Sequence, residues 1–146
     1  MTYLLDTCIL SKMRKLAAYP DPKLSAWLAR HSESNYYVSA LSLGEIQQGI
    51  AKLSQADALK KMALEDWLVG ELIPRFRERI LILDTTTLLV WGQLCGEKKR
   101  QGVSLPVVDS LLASTAIQHH LILVTENDKD FALTGCQLFN PFHNFS

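Results

Sequence analysis

Tyr3-Leu4-Leu5-Asp6-Thr7-Cys8, close to the start of the chain, contains the segment that decides the fold. Three apolar residues in succession, rather than in alternation, predict a strand that is buried on both faces. Strands of this kind belong to parallel sheets that are covered by helices on both sides. Asp6 then follows the carboxyl end of the strand, which is where α/β proteins place their functional groups.

Further strand-like segments alternate with helical ones along the rest of the chain. Strands are predicted over residues 36–38, 79–83, 121–124 and 137–139, from short apolar, β-branched or aromatic runs. Helices are predicted over 9–16, from Pro22 with Asp21 as its cap, from Ser42, over 55–73, over 85–100 and from Pro106, because apolar residues recur there at helical spacing. This alternation predicts an α/β fold with a central parallel sheet of about four or five strands.

Two of the predicted helices carry several apolar side chains each. Pro74 is expected to end or kink the helix over 55–73, whose buried side is expected to comprise Leu59, Met62, Ala63, Trp67 and Leu68. The helix over 85–100 carries Leu88 and Leu89 on its apolar side.

The composition is that of one packed domain of ordinary size in a reducing compartment. The 146 residues are 48% hydrophobic, which predicts a single domain over 1–146. Fifteen basic residues balance fifteen acidic ones, which argues against a strongly basic, sequence-independent nucleic-acid binder but allows local contact with nucleic acid. Three widely spaced cysteines lack zinc-ligand spacing, and no signal peptide or membrane span is evident, so a cytoplasmic location without membrane attachment is expected.

Four acidic residues fall at points where each has an ordinary structural explanation. Asp6 is placed to cap the helix that follows it, and Glu45 is placed three residues after Ser42 in a capping-box pattern. Asp109 lies in the first turn of its helix, where a carboxylate complements the helix dipole. Asp130 is placed to cap a short turn. Considered singly, each acid is better explained as a cap than as part of a site.

The joint placement of these acids favours a metal site instead. Asp6 and Asp130 follow strands, while Glu45 and Asp109 begin helices, and in a parallel sheet all four positions lie at the carboxyl edge. Carboxylates held this close repel one another unless a cation or protons intervene. Oxygen ligands without His or Cys select Mg²⁺, or Mn²⁺ in its place. Such a metal activates water and stabilises a phosphoryl oxygen, so hydrolysis of a phosphodiester is the expected reaction.

Short motifs occur in a fixed order over nearly the whole chain. They are Leu5-Asp6-Thr7, Gly44-Glu45-Ile46 with Gly49, Gln101-Gly102, the run from Pro106 to Ala113, Leu123-Val124-Thr125 with Asn127, Asp130-Phe131 and Asn140-Pro141-Phe142. No single motif is specific. The ordered set resembles the PIN-domain family, specifically the VapC-like and FitB-like toxins of bacterial toxin–antitoxin pairs.

The resemblance implies a Mg²⁺-dependent endoribonuclease with a three-layer α/β/α sandwich and the first strand at its centre. It implies that Asp6, Glu45, Asp109 and Asp130 form the catalytic and metal-binding site. Thr7, Thr125 and Asn127 are then expected to support the acids or contact the RNA substrate. It also implies a small antitoxin that blocks the site, a homodimer, and DNA binding only through the antitoxin.

Two positions depart from the family pattern, and neither removes an acid. Cys8 stands where Asn or Ser is common, so a strong hydrogen-bonding group is lost beside the site. Glu126 stands where Arg is common, which adds negative charge near the acids.

The exposed-looking residues Ile9, Leu10 and Met13 suggest where an apolar antitoxin segment docks, with a basic residue from it reaching the acids.

Two other functions compete with a ribonuclease. One is a catalytically weak FitB-like binding module that binds DNA with its antitoxin and regulates transcription, although an intact set of four acids argues against a dead site. The other is a phosphatase with an aspartyl nucleophile, which would need a second Asp where Cys8 stands.

Overall fold

Five parallel strands form a sheet of order β3-β2-β1-β4-β5 within residues 1–143, the part of the chain that this computed structural model describes. The strands are β1 (Tyr3–Leu5), β2 (Tyr36–Ser39), β3 (Ile80–Leu81), β4 (Ile122–Val124) and β5 (Leu138–Phe139). The predicted parallel sheet with β1 at its centre is confirmed. Residues 144–146, the last three of the expected domain, lie outside the described residues.

Helices connect the strands in the order that the sequence predicts. They are α1 (Thr7–Lys15), α2 (Pro22–Ala29), α3 (Ala40–Ala51), α4 (Ala58–Trp67), α5 (Ile73–Arg75), α6 (Thr85–Arg100), α7 (Val107–His119) and α8 (Asp128–Phe131). Asp21 caps α2 and Pro22 is its first residue, as expected. Among the described residues, no helix is both long and apolar enough to cross a membrane.

The side chains of β1 divide between two cores, one on each face of the sheet. Tyr3 and Leu5 pack with Ile9 and Leu24 in a core beneath α1, α2 and α3. Leu4 points to the opposite face and belongs to the core formed with α7 and α8, together with Leu112. Helices therefore cover both faces of the sheet, which confirms the predicted three-layer arrangement and explains why β1 is apolar at consecutive positions.

Helix α3 begins earlier than the capping-box pattern predicts. β2 leads directly into the helix at Ala40, and the Ser39 hydroxyl caps it by accepting a hydrogen bond from the Leu41 N–H at 3.1 Å. Ser42 is therefore inside the helix, and the predicted Ser42–Glu45 capping box is wrong. The Ser42 hydroxyl is buried and has no hydrogen-bond partner among the residues described. Glu45 is left free to point toward the sheet edge.

The predicted helix over 55–73 is shorter and buries less than expected. It is regular only over α4, after which a π turn (Leu68–Leu72) leads into α5, and Pro74 is the second residue of that short helix. The π turn changes which carbonyls are bonded just before Pro74, and α5 ends at Arg75, one residue after the proline. Leu59 and Met62 are 84% and 60% exposed and Ala63 is also exposed, so their predicted burial is wrong, whereas Leu68 is buried as predicted and Trp67 is half-buried. The apolar residues of α4 lie on two faces, and only one of these faces the core.

The helices α6 and α7 form a hairpin, and each of them is followed by a residue in the left-handed conformation. After α6, Gly102 has a φ of 82°, and the N–H groups of Gly102 and Val103 donate to the carbonyls of Lys99 and Lys98. After α7, His120 has a φ of 55° although it is not glycine. The apolar side of α6 faces outward, where Leu88 is 45% and Leu89 71% exposed.

Candidate active site at the carboxyl edge of the sheet

Asp6 is held on both carboxylate oxygens at the end of β1. Its backbone N–H donates to the Val124 carbonyl at 3.0 Å, which fixes it against the neighbouring strand β4. Oδ1 accepts from the Thr7 N–H at 2.7 Å and caps α1, while Oδ2 accepts from the Thr125 hydroxyl at 2.7 Å. The side chain is buried, with 7% exposure. Asp6 is therefore both a helix cap and an oriented carboxylate, so the two readings of the sequence are compatible.

The residues around Asp6 supply further hydrogen bonds. Thr125 is fully buried and accepts from the Asn127 backbone N–H at 3.0 Å, so Asn127 acts here through its backbone. Cys8 donates from Sγ to Asp6 Oδ2 at 3.3 Å, a weaker bond than Asn or Ser would make. Burial raises the pKa of Cys8 to about 12, and the negative charge of Asp6 adds to the effect. The thiol is therefore protonated and serves as a donor at neutral pH.

Glu45 reaches the same edge from α3. The Thr7 hydroxyl donates to Glu45 Oε1 at 2.8 Å and so connects the first turn of α1 with α3. Burial raises the pKa of Glu45, and the negative charges of Asp6 and Asp109 raise it further against the opposing effect of the Thr7 hydrogen bond.

Asp109 and Asp130 complete the set from the first turns of α7 and α8. Burial raises the pKa of Asp109, and the charges of Asp130 and Asp6 raise it further. The charges of Asp6 and Asp109 thus act on the pKa of Glu45, and the charges of Asp6 and Asp130 act on the pKa of Asp109. Asp109 is therefore within electrostatic range of the other three acids, and Glu45 is within range of Asp6 as well.

The four acids are chemically suited to a hard divalent cation, but their side chains are widely spaced. All four groups are carboxylates, and the pKa values of Glu45 and Asp109 are raised first by burial and then by the charge of neighbouring acids, which a cation would neutralise. Within residues 1–143, however, no three His, Cys, Asp or Glu side chains are close enough to hold a metal ion directly. Mg²⁺ keeps several waters and often binds proteins through one or two carboxylates, so this open spacing is compatible with it.

The acid at position 126 is paired, which modifies the expectation that it adds negative charge to the site. Glu126 Oε2 lies 3.3 Å from Lys12 Nζ on α1. Lys12 Nζ also lies 4.6 Å from the centre of the Phe142 ring. The charge of Glu126 is thus locally compensated by a residue that the sequence did not single out.

A groove of about 790 Å³ leads away from Thr7 and Glu45 between α1, α3 and α4. Its floor is mainly apolar and basic side chains lie along it; the lining residues are Thr7, Ser11, Arg14, Lys15, Tyr19, Glu45, Ile46, Gly49, Ile50, Leu53, Lys60, Leu64 and Trp67. Ile9 and Leu10 are fully buried and Met13 is half-buried against the core, so the predicted docking surface on these residues is wrong. They face the sheet because α1 packs that side onto β1, and the accessible side of α1 carries Ser11, Arg14 and Lys15 instead.

Sequence reasoning missed several residues around the site. The basic residues Arg14 and Lys15 occur in the last turn of α1, where they read as dipole complementation. Asn140 stands in a motif of the sequence, but its role depends on contacts with residues 126–128 that no local pattern reveals.

Comparison with known proteins places this geometry in a family context. The PIN domain family model matches residues 3–135, so the match ends before β5. The chain is 30% identical to Toxin FitB of Neisseria gonorrhoeae over 97% of this chain and 99% of that protein. It is 26% identical to VapC ribonuclease Y4jK of Sinorhizobium fredii, covering 94% of this chain and 96% of that one. The structure of FitAB bound to an IR36 DNA fragment matches with a TM-score of 0.83 and 27% identity over 99% of both chains.

Proposed function

The chain belongs to the PIN domain family, and from this premise we propose that it is a Mg²⁺-dependent endoribonuclease, the toxin of a toxin–antitoxin pair. The proposal takes residues 1–146 as a single PIN-like domain in the cytoplasm. The observation that carries it is a group of acids at the carboxyl edge of the sheet: Thr125 and Thr7 orient Asp6 and Glu45, and the charges of Asp6 and Asp130 help burial to raise the pKa of Asp109. The similarity to a protein named VapC ribonuclease supports the same reaction.

In this proposal the four acids hold a hydrated metal, directly or through its waters, and the threonines orient Asp6 and Glu45. A bound Mg²⁺ or Mn²⁺ supplies a Lewis acid that acidifies water and stabilises charge on a phosphoryl oxygen. Thr125 fixes Asp6 through Oδ2, and Thr7 fixes Glu45 through Oε1. Glu45, whose pKa is raised, is suited to accept a proton from the attacking water. Thr7 lies at the mouth of the groove, where its hydroxyl is also placed to contact an RNA phosphate.

RNA cleavage by purified protein tests this proposal. We expect cleavage in Mg²⁺ or Mn²⁺, none in EDTA, and a loss of several orders of magnitude in Asp109→Asn. Asp84→Asn is the matched control, because Asp84 also begins a helix but interacts with Gln118 at the opposite end of α7. Sequencing the cleaved ends would define the RNA target. Metal-independent cleavage, or full activity in folded Asp109→Asn, would contradict the proposal.

We propose that the groove between α1, α3 and α4 receives the antitoxin. Its apolar floor, with Ile50 and Trp67, suits an amphipathic segment, and Arg14 and Lys60 suit acidic residues on that segment. A basic residue at its end would meet Glu45. Co-purification with the small protein encoded beside it should weaken in Arg14→Glu with Lys60→Glu, and should persist in the control Lys99→Glu. Equal binding by both variants would exclude this groove.

We propose that the outer face of α6 and α7 forms the homodimer contact. An apolar cavity of about 450 Å³ is lined there by Leu89, Val90, Leu94 and Ile117, among others. Contiguous exposed apolar surface of this kind is typical of an interface, and a second copy of the same face is self-complementary. Leu89→Asp should convert the dimer to a monomer in sedimentation equilibrium, and an unchanged mass would contradict this assignment.

A DNA-binding module remains the second candidate because of one comparison. The FitAB structure contains DNA, and its similarity covers 99% of this chain. In this alternative the chain acts with its antitoxin on promoter DNA and the acids are catalytically weak. A complex that shifts promoter DNA while the free chain leaves RNA intact in Mn²⁺ would favour it.

A further inference from the structure

The Asn140 side chain connects the end of β5 with the loop that follows β4. It is fully buried, and Nδ2 donates to the Glu126 carbonyl at 3.2 Å and to Asp128 Oδ1 at 3.3 Å. Oδ1 accepts from the Phe142 N–H at 2.9 Å. One side chain therefore extends the contact between these two segments beyond the end of the β4–β5 ladder, whose last bond is from the Thr125 N–H to the Phe139 carbonyl.

The loop that Asn140 holds carries two groups of the candidate site. Thr125, which donates to Asp6, directly precedes residue 126. Asp130 is the third residue of α8, which has only four residues and starts at Asp128. A helix of one turn has almost no internal hydrogen bonds beyond its nucleus, so its position depends on outside contacts, and the buried Phe131 side chain supplies such a contact only at its end. The two Asn140 bonds, at residues 126 and 128, are placed to fix the start of α8.

The segment that carries Asn140 is itself anchored to the other side of the site. The Phe142 carbonyl accepts from Lys23 Nζ at 3.0 Å, and Lys12 lies over the Phe142 ring. Lys12 also pairs with Glu126. Helices α1 and α2, the C-terminal segment 140–142 and the loop after β4 therefore form one connected set of contacts around the Asp130 helix.

We propose that Asn140 is a positioning residue for Asp130, and that through residues 126–128 it sets the affinity of the acidic site for a divalent cation. This inference rests on the proposed metal site. If the start of α8 is not held, Asp130 must be ordered when the cation binds, and that entropic cost weakens binding. With Asn140 in place the ordering is already complete in the folded protein.

The substitution Asn140→Asp separates the two halves of this contact. Asp keeps the acceptor for the Phe142 N–H but loses both donors to the loop. Asn140→Ser, which adds no charge, is measured beside it. Thr87→Val is the matched control, because Thr87 is also fully buried and hydrogen-bonded but bonds to Asp84 and Gln118, away from the acids.

The measurement is the Kd for Mn²⁺ by titration calorimetry on the full chain without RNA, followed by RNA cleavage as a function of Mn²⁺ concentration. We expect the Kd to rise at least tenfold in both Asn140 variants and to stay unchanged in Thr87→Val, even where thermal stability falls equally. Cleavage by the Asn140 variants should be reduced at low Mn²⁺ and restored at saturating Mn²⁺.

A Kd within twofold of wild type in either folded Asn140 variant would overturn the proposal. So would unfolding of both variants, since Asn140 would then serve to maintain the fold, or absence of Mn²⁺ binding by wild type. If wild type binds Mn²⁺ and cleaves no RNA, the ribonuclease proposal fails while the change in Kd still decides the role of Asn140.

Discussion

The Thr125 hydroxyl donates a 2.7 Å hydrogen bond to Asp6 Oδ2, across the junction of the adjacent strands β1 and β4. Thr125 is fully buried and Asp6 nearly so. Along the chain these residues are 119 positions apart. At the sheet edge, however, a single hydroxyl connects the two strands and orients the most buried of the four acids.

Replacing Thr125 by Val should destabilise the protein while leaving its shape almost unchanged. The loss of a buried hydrogen bond to a carboxylate typically costs about 1–3 kcal/mol. Urea unfolding should therefore give a lower midpoint with an unchanged slope. Thr125→Ser keeps the hydroxyl and should restore most of the difference. Equal stability of the Val and Ser variants would mean that the bond to Asp6 contributes little.

Asp109→Asn should stabilise the protein in the absence of metal. Burial and the nearby acids raise the pKa of Asp109 in the folded state, so the folded chain holds this proton more tightly than the unfolded chain. This term therefore lowers stability as the pH rises above the ordinary value of 3.8. Removing the charge should raise the melting temperature at pH 7 in EDTA and reduce the stabilisation given by excess Mn²⁺.

The cap interpretation of Asp109 predicts the opposite sign. Loss of a favourable dipole contact costs roughly 0.3–1 kcal/mol, and the response to metal would not change. Asp84→Asn provides the control for removing an acid from a helix start. A less stable Asp109→Asn protein with a full Mn²⁺ shift would show that the four acids do not act as one site.

Cys8 should resist alkylation in the native protein. Its pKa of about 12 leaves very little thiolate at pH 8, and thiolate is the reactive form. Iodoacetamide should therefore modify Cys8 slowly in a variant with Cys95 and Cys136 changed to Ser, and rapidly after urea is added. Rapid labelling in the folded state would show that the thiol does not remain buried against Asp6.

His120→Gly should stabilise the fold. His120 has a φ of 55°, a left-handed conformation that costs a residue with a Cβ roughly 1–2 kcal/mol, whereas glycine adopts it readily. Part of this gain is offset by the greater freedom of glycine in the unfolded chain. The measurement is the melting temperature, and His119→Gly, inside α7, is the control that should be destabilising.

The sequence was sufficient for features in which one local pattern has one structural outcome. The unbroken apolar run of β1 predicted burial on both faces, and Asp21-Pro22 predicted the start of α2. It was misleading where a pattern is compatible with two outcomes. Ser42 and Glu45 have capping-box spacing, but Ser39 precedes them and caps the helix first.

Other errors arose because burial depends on packing between distant segments. Ile9 and Leu10 look accessible until α1 is packed on the sheet, and Leu59 looks buried until α4 is seen to pack through its other face. For the site, strand order was enough to bring the four acids to one edge. The hydrogen bonds of Thr125 and Asn140 join distant parts of the chain, so they are visible only in the three-dimensional structure.

The central position of β1 between β2 and β4 has a consequence for protein synthesis. A ribosome adds about 5–20 residues per second, so the first strand waits on the order of ten seconds for its second neighbour. An interrupted chain that stops before residue 122 lacks β4, Thr125 and Asp130, and its Asp6 has neither the strand nor the hydroxyl that orients it. Under the proposed function, the ability to cut RNA therefore arises only after β4, Thr125 and Asp130 have been synthesised, and products that stop before them should be harmless to the cell that makes them.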